Sequence, residues 1–152
     1  MDCLERCRLA DAYHQQGFNC AQAVVAAFCD RTGLSEETAL AIAGGFGGGM
    51  RCGEVCGALS GALMVLGLCH GHIHPNCPQE KAHISKLTVA LTGRFREKFG
   101  ALCCRELLSA PLKPTAGERT MAEELGITQH CAVLIVTTVE LLEDLLREQE
   151  AG

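Results

Sequence analysis

Apolar positions recur at helical spacing along almost the whole chain. Leu4, Cys7, Ala10 and Tyr13 mark one face of a first amphipathic helix that should end at Gly17. Asn19 has the side chain of an N-cap for a second helix over 20–31, which Gly33 would terminate. Ser35 can cap a third, with Glu36 and Glu37 in the first turn, where the helix dipole favours acids; it should run through Ala39, Leu40 and Ile42 to Gly44. The run Gly44-Gly45-Phe46-Gly47-Gly48-Gly49-Met50 interrupts the pattern, because so many glycines make regular helix too costly.

A fourth helix is predicted over 53–68. It is apolar nearly all round and should therefore be central. Gly53, Gly57 and Gly61 fall four apart on it, a smooth stripe that lets a neighbouring backbone come close. A turn spans 71–76, and Pro78 suits the first turn of a long helix over 79–99. After Gly100 a short helix is predicted over 103–108, and Pro111 and Pro114 then interrupt the helical pattern. Thr120 and Glu123 have capping-box spacing for a short helix ending at Gly126. Thr128 can cap a last helix over 129–148, with residues 149–152 expected to fray. Residues 133–139 are rich in β-branched side chains, but Leu141, Leu142, Leu145 and Leu146 continue a helical spacing. The fold expected is all-α: a single domain over 1–152, a multi-helix bundle around a central Gly/Ala-rich apolar helix, with no internal repeat.

Composition narrows the function. A chain of 152 residues with 48% apolar content can bury a core. The net charge of -5, the 4% aromatic content and the lack of Trp argue against nucleic-acid binding, which needs clustered cations and stacking surfaces. The amino terminus, Met-Asp-Cys-Leu-Glu-Arg-Cys-Arg, is charged where a signal peptide needs an apolar run. The longest apolar stretches, 58–69 and 131–142, are too short to span a bilayer. A cytoplasmic protein with no membrane association is expected. Thiols stay reduced in that compartment, so the 11 Cys point to metal or redox chemistry, although some can serve as small buried hydrophobes.

Spacing removes several kinds of cysteine site. The chain has no Cys-x-x-Cys, hence no thioredoxin-type motif, no zinc ribbon and no haem-attachment sequence, and no closely spaced ferredoxin run. A four-thiolate site must be assembled from distant segments. Cys20, Cys52 with Cys56, Cys103 with Cys104, and Cys131 all fall at predicted helix starts, where the dipole stabilises a thiolate. Cys52 and Cys56, at i and i+4, should face the same way. Gly47, Gly48 and Gly49 can form a nest of backbone N–H groups for an anion or a cluster, or serve as a structural turn. The run lacks the Gly-Lys-Ser/Thr ending of a phosphate loop.

Four separated segments carry a resemblance. They are Asn19-Cys20-Ala21-Gln22-Ala23-Val24, Gly45-Phe46-Gly47-Gly48-Gly49-Met50, Cys56-Gly57-Ala58-Leu59-Ser60-Gly61-Ala62 and Cys104-Arg105-Glu106-Leu107-Leu108. In this order, with Cys131-Ala132-Val133 after them, they resemble the redox-active protein family C_GCAxxG_C_C over about residues 13–146. That family is similar to the iron–sulfur-binding part of split-Soret cytochrome c. The resemblance implies a helical domain able to hold an iron–sulfur cluster, and a homodimer. It places the signature cysteines at Cys20, Cys56, Cys104 and Cys131, with Cys103 an ambiguity beside Cys104. No haem is carried over, because the attachment motif is missing.

The leading expectation is an electron carrier rather than an enzyme with its own substrate. Cys20, Cys56, Cys104 and Cys131 would bind one [2Fe–2S] cluster, with N–H groups of Gly47, Gly48 and Gly49 and the guanidinium of Arg105 around it, and another redox protein as partner. The alternatives use the same cysteines. One is a thiol–disulfide oxidoreductase or redox sensor with Cys56 attacking and a partner such as Cys104 resolving. The other is a structural zinc site. The segment Cys69-His70-Gly71-His72-Ile73-His74-Pro75-Asn76-Cys77 holds zinc or copper ligand types but reads first as a solvated polar turn. Cys3 and Cys7, one helical turn apart, read as buried spacers. Cys29, Cys52, Cys69, Cys77 and Cys103 receive no role, and neither do His14, His83 and His130.

Overall fold

The computed structural model describes residues 1–109 and 120–152. The chain is an all-α single domain. Among the described residues, the only extended pairing is an isolated antiparallel bridge between Val55 and Cys103. Pro111 and Pro114 lie outside the described residues.

Helix α1, Cys3–Gln15, starts on a reciprocal capping box between Asp2 and Glu5. Helix α2, Cys20–Ala26, starts on a second, between Asn19 and Gln22. The single helix expected over 20–31 is broken: α2 stops at Ala26 and a separate turn, α3 (Cys29–Thr32), comes after it. The cause is tertiary. Buried Arg6 donates from Nη1 to the Ala27 carbonyl at 2.7 Å and lies 4.4 Å over the Phe28 ring. The Arg31 amide, which would close a continuous helix on Ala27, bonds the Phe28 carbonyl instead. Gly33 ends α3 in the left-handed region, at φ 79°.

Helix α4, Glu36–Ile42, is capped by Ser35 as the sequence indicates. The glycine run then makes a conformation of its own. Gly48, Gly49, Met50 and Arg51 all have φ near +60°, a left-handed turn that includes two side-chain-bearing residues. That turn delays the central helix. Helix α5 spans Gly57–His70, not 53–68, so Cys52 and Cys56 do not share a helix face: Cys52 lies just after the left-handed turn, outside α5, while Cys56 becomes the N-cap.

Helix α6, Pro78–Phe99, has Pro78 in its first turn and left-handed Gly100 at its end. Beyond it lie two short helices, α7 (Cys104–Leu108) and α8 (Met121–Glu124), the latter capped by Thr120. The last helix, α9, spans His130–Ala151. Its cap is Gln129 rather than Thr128, with the Gln129 side chain accepting from the Ala132 amide at 2.7 Å, and the helix continues past the expected end at 148.

The core lies between α2, α5 and α9, with α1 along α9, α6 against α5 and α9, and α4 over α2. Val24, Leu59, Leu66, Leu91, Ile135 and Leu142 fill it and are buried. Two of the three stripe glycines do what the pattern implies. A Cβ on Gly61 would sit 2.8 Å from the Ala21 carbonyl oxygen, and one on Gly57 would sit 2.8 Å from that of Phe46. Gly53 lies off the helix, against Arg105.

Candidate functional site

The close approach of α2 and α5 sets two of the thiols. Cys20 is the first residue of α2 and Cys56 the N-cap of α5. A Cβ on Gly57 would lie 2.8 Å from the Phe46 carbonyl oxygen and 3.2 Å from the Ala21 nitrogen, so the glycine after Cys56 lets the start of α5 approach the backbone just after Cys20. The third thiol comes through the isolated bridge. The Cys56 amide donates to the Leu102 carbonyl at 2.8 Å, and the Cys104 amide to the Glu54 carbonyl at 2.7 Å. Side chains alternate across extended backbone, so Cys56 and Cys104 project to one side of the bridge while Val55 and Cys103 project to the other. Of the two adjacent cysteines, Cys104 is the one on the side of Cys56 and the one whose charge reaches Cys20 and Cys56. The fourth thiol, Cys131, lies in the first turn of α9, just after the Gln129 cap.

The four thiols feel one another's charge in all six pairings. Cys20 and Cys131 are the tightest pair. The Cys20 thiol donates to Cys131, which pulls Cys131 down to about 6, with a further contribution from Gln129. The same bond holds the proton on Cys20, whose pKa is driven well up, and burial and the neighbouring thiolates add to this. Burial pushes Cys56 up to about 11, against backbone N–H bonds from Ala58 and Leu59 in the first turn of α5. Cys104 is raised by burial and by charge on Cys131. Of the four, Cys131 is therefore the thiol most readily held as thiolate, whereas Cys56 is 3% exposed and holds its proton.

The glycine run borders this group without lining it in full. A Cβ on Gly47 would meet the Asn19 side chain at 2.6 Å, so Gly47 packs on the cap that positions Cys20. Asn19 also donates to the Gly44 carbonyl at 3.1 Å. A Cβ on Gly49 would lie 2.3 Å from the Glu54 carbonyl oxygen, the acceptor of the Cys104 amide, while Gly48 faces open space. The run is thus a scaffold for two of the four thiols. Arg105 departs from its expected role: its exposed guanidinium pairs with Glu54 at 3.3 Å.

The remaining cysteines lie apart from the four. Cys7 is fully buried, its Sγ donating to the Val136 carbonyl at 3.7 Å, and it shares a hydrogen bond with Cys3. Cys52 is exposed and donates to the Gly49 carbonyl. Cys69 lies 4.0 Å from the Arg31 carbonyl, and Cys77 donates to Gln79. The histidine loop does not converge. His74 bonds Glu80 at 3.0 Å, His72 bonds the His74 carbonyl, and His70 packs edge-on against His83 at 5.4 Å. Among the described residues, no three His, Cys, Asp or Glu side chains meet closely enough to hold a single metal ion, and no helix is long and apolar enough to cross a membrane.

Sequence reasoning gave no part to Gln129, which caps α9 and bonds Cys131. Its signal was faint, because the hydroxyl of Thr128 beside it is the commoner cap. Nor did spacing disclose the bridge that orients Cys56 and Cys104, since one pair of extended residues leaves no periodic trace.

The fold thus brings four thiols from four distant segments within reach of one another's charge. The family model described as "Putative redox-active protein (C_GCAxxG_C_C)" matches residues 18–145, and the chain belongs to that family. No curated protein and no solved structure matches the chain.

Proposed function

We propose that this chain is an electron-transfer protein in which Cys20, Cys56, Cys104 and Cys131 hold a [2Fe–2S] cluster. The observation that carries this reading is the gathering of four thiols, each feeling the other three, at the starts of α2, α5, α7 and α9. The donor set fits: four thiolates complete such a cluster. When bound, the cluster supplies a one-electron couple. The protein supplies four thiolates, N–H donors to Cys56 from Ala58 and Leu59, and a rigid frame in which the Glu54 and Leu102 carbonyls fix two of the ligands. The partner class is another redox protein, met through a small transient interface.

The test is iron, zinc and acid-labile sulfide per chain on anaerobically purified protein, with a visible spectrum. Near-equal iron and sulfide, with colour lost in Cys56→Ser, is the expected result. Stoichiometric zinc without sulfide, or no metal at all, refutes the reading.

The Cys20–Cys131 hydrogen bond and the depressed pKa of Cys131 favour a second reading, thiol–disulfide exchange. The Cys131 thiolate would attack an external disulfide and release one thiolate. Cys20 would then give up its proton and attack the Cys131 sulfur, expelling the second thiol. Both protein thiols are thereby oxidised to a disulfide and the external disulfide is reduced to two thiols. A mixed disulfide trapped on Cys131 in Cys20→Ser is its signature. Unchanged thiol counts after exposure to oxidised glutathione would end it.

A further inference from the structure

Outside the four-thiol group, two further thiols meet. Cys3 and Cys7 stand one turn apart on α1, and their side chains share a hydrogen bond. Cys7 is fully buried, whereas Cys3, at the first position of the helix, is only half-buried and stays open to a small reagent. Cys7 has one thiol proton and two acceptors for it: the Val136 carbonyl at 3.7 Å and the Cys3 sulfur. The Val136 carbonyl also accepts from within α9, so it is not orphaned when the proton turns to Cys3. That hydrogen bond holds the Cys3 pKa below its ordinary value, against burial and the carboxylates of Glu143, Glu140 and Asp144. Helix geometry separates Cα atoms at i and i+4 by about 6.2 Å, inside the range of about 4.4–6.8 Å that a disulfide spans. Two buried spacers would need only small apolar side chains. This pair has an accessible nucleophile, a proton donor behind it and disulfide spacing.

We propose that Cys3 and Cys7 form a second redox centre, a dithiol that reduces low-molecular-weight disulfides and closes to a disulfide within α1. Cys3 loses its proton to water, and its thiolate attacks one sulfur of the small disulfide. A mixed disulfide forms on Cys3, and one small thiolate leaves and takes up a proton. The Cys7 sulfur then attacks the Cys3 sulfur, and its proton goes to the second small thiol as that leaves. Both protein thiols are oxidised, and the small disulfide is reduced to two thiols. The new bridge lies within one helix and ties no second element to α1. The bonds from Arg6 to Ala27, Asp30 and Glu143 can all remain, so α1 keeps its place in either state. The centre is independent of whatever the four-thiol group holds.

The experiment exposes the reduced, metal-free full chain to oxidised glutathione under native conditions, as wild type, Cys3→Ser and Cys7→Ser. Samples are quenched with acidic N-ethylmaleimide and mapped after trypsin, which cuts after Arg6 and Arg8 and so leaves the two thiols on separate peptides. Wild type should yield those two peptides joined by a disulfide, with its helical circular dichroism unchanged. Cys7→Ser should lose the joined pair and accumulate glutathione on Cys3. Cys3→Ser, changed at the half-buried position, should fold and leave Cys7 unmodified. Maleimide on both thiols of treated wild type would overturn the inference. So would glutathione resting on Cys3 in wild type as it does in Cys7→Ser, or glutathione on Cys7 in Cys3→Ser. A joined pair that appears only as the helical signal is lost would overturn it too, because the bridge would then belong to the unfolded chain. Where Cys7→Ser does not fold, wild type and Cys3→Ser decide between these outcomes.

Discussion

Val55 and Cys103 face each other in an isolated antiparallel bridge, flanked by the bonds of the Cys56 amide to Leu102 and of the Cys104 amide to Glu54. Because alternation sends Cys104 to the side of Cys56, Cys103 is left facing away from the group. Iron and sulfide loading should therefore be lost in Cys104→Ser and kept in Cys103→Ser. The check is iron and acid-labile sulfide per chain after anaerobic reconstitution of each variant. Equal loss in both would mean that the bridge does not sort the two thiols.

The α2–α5 contact tolerates no added methyl at Gly61, where a Cβ would lie 2.8 Å from the Ala21 carbonyl oxygen and 3.2 Å from its Cα. Backbone cannot swing aside as a flexible side chain can. Gly61→Ala should cost about 1–3 kcal/mol by overpacking, even after the gain in helix propensity. Gly93, within α6, has open space where its Cβ would be. Gly93→Ala should stabilise by about 0.5–1 kcal/mol. Urea denaturation of the two variants gives opposite signs if the close approach is real.

In metal-free, reduced protein at pH 6.5, iodoacetamide should modify Cys131 before the other cysteines. Its pKa of about 6 leaves it largely thiolate there, whereas an ordinary thiol near 8.5 is about 1% ionised. Peptide mapping against time should show a preference of roughly fivefold after allowing for the lower nucleophilicity of a low-pKa thiolate. Cys20→Ala removes the donated hydrogen bond and should slow labelling at Cys131. Unchanged labelling would show that the pair does not lower the pKa.

Arg6 is 2% exposed and ties three elements together: it bonds the Ala27 carbonyl, both Asp30 oxygens at 2.5 and 3.0 Å, and Glu143. Arg6→Met leaves a buried carbonyl and two carboxylates without their cation and should cost about 3 kcal/mol. The hydrogen bond from Arg6 holds the Asp30 pKa below its ordinary value of 3.8. The stabilisation this gives is complete above pH 3.8 and disappears as the pH falls through the lower folded-state value. In Asp30→Asn, stability should fall less steeply with acid across that window, as read by denaturant midpoints between about pH 5 and pH 2.5.

Much of the fold was legible because its punctuation is local. Asn19, Ser35, Pro78, Gly33 and Gly100 act through their own backbone and the next few residues, and each does what its chemistry dictates. The departures have non-local causes. The break after Ala26 comes from a guanidinium that arrives from α1. The late start of α5 comes from the left-handed turn at 48–51, where Gly49 must fit against the Glu54 backbone. The four clustered cysteines were marked by resemblance and by their places at helix starts. What the chain could not disclose was their relation in space: a bridge of two hydrogen bonds for Cys56 and Cys104, and the pairing of Cys20 with Cys131.

The buried Arg6 also bears on where the physical unit begins. The family match covers residues 18–145, and α1 lies wholly before it. Yet the cation that satisfies Ala27, Asp30 and Glu143, all inside the matched stretch, is carried by α1. A fragment cut to the matched boundaries would keep every one of the four clustered cysteines. It would also carry an acidic, half-empty socket where α1 had lain along α9. In this chain, the segment that defines kinship and the segment that satisfies its own buried charges are different lengths.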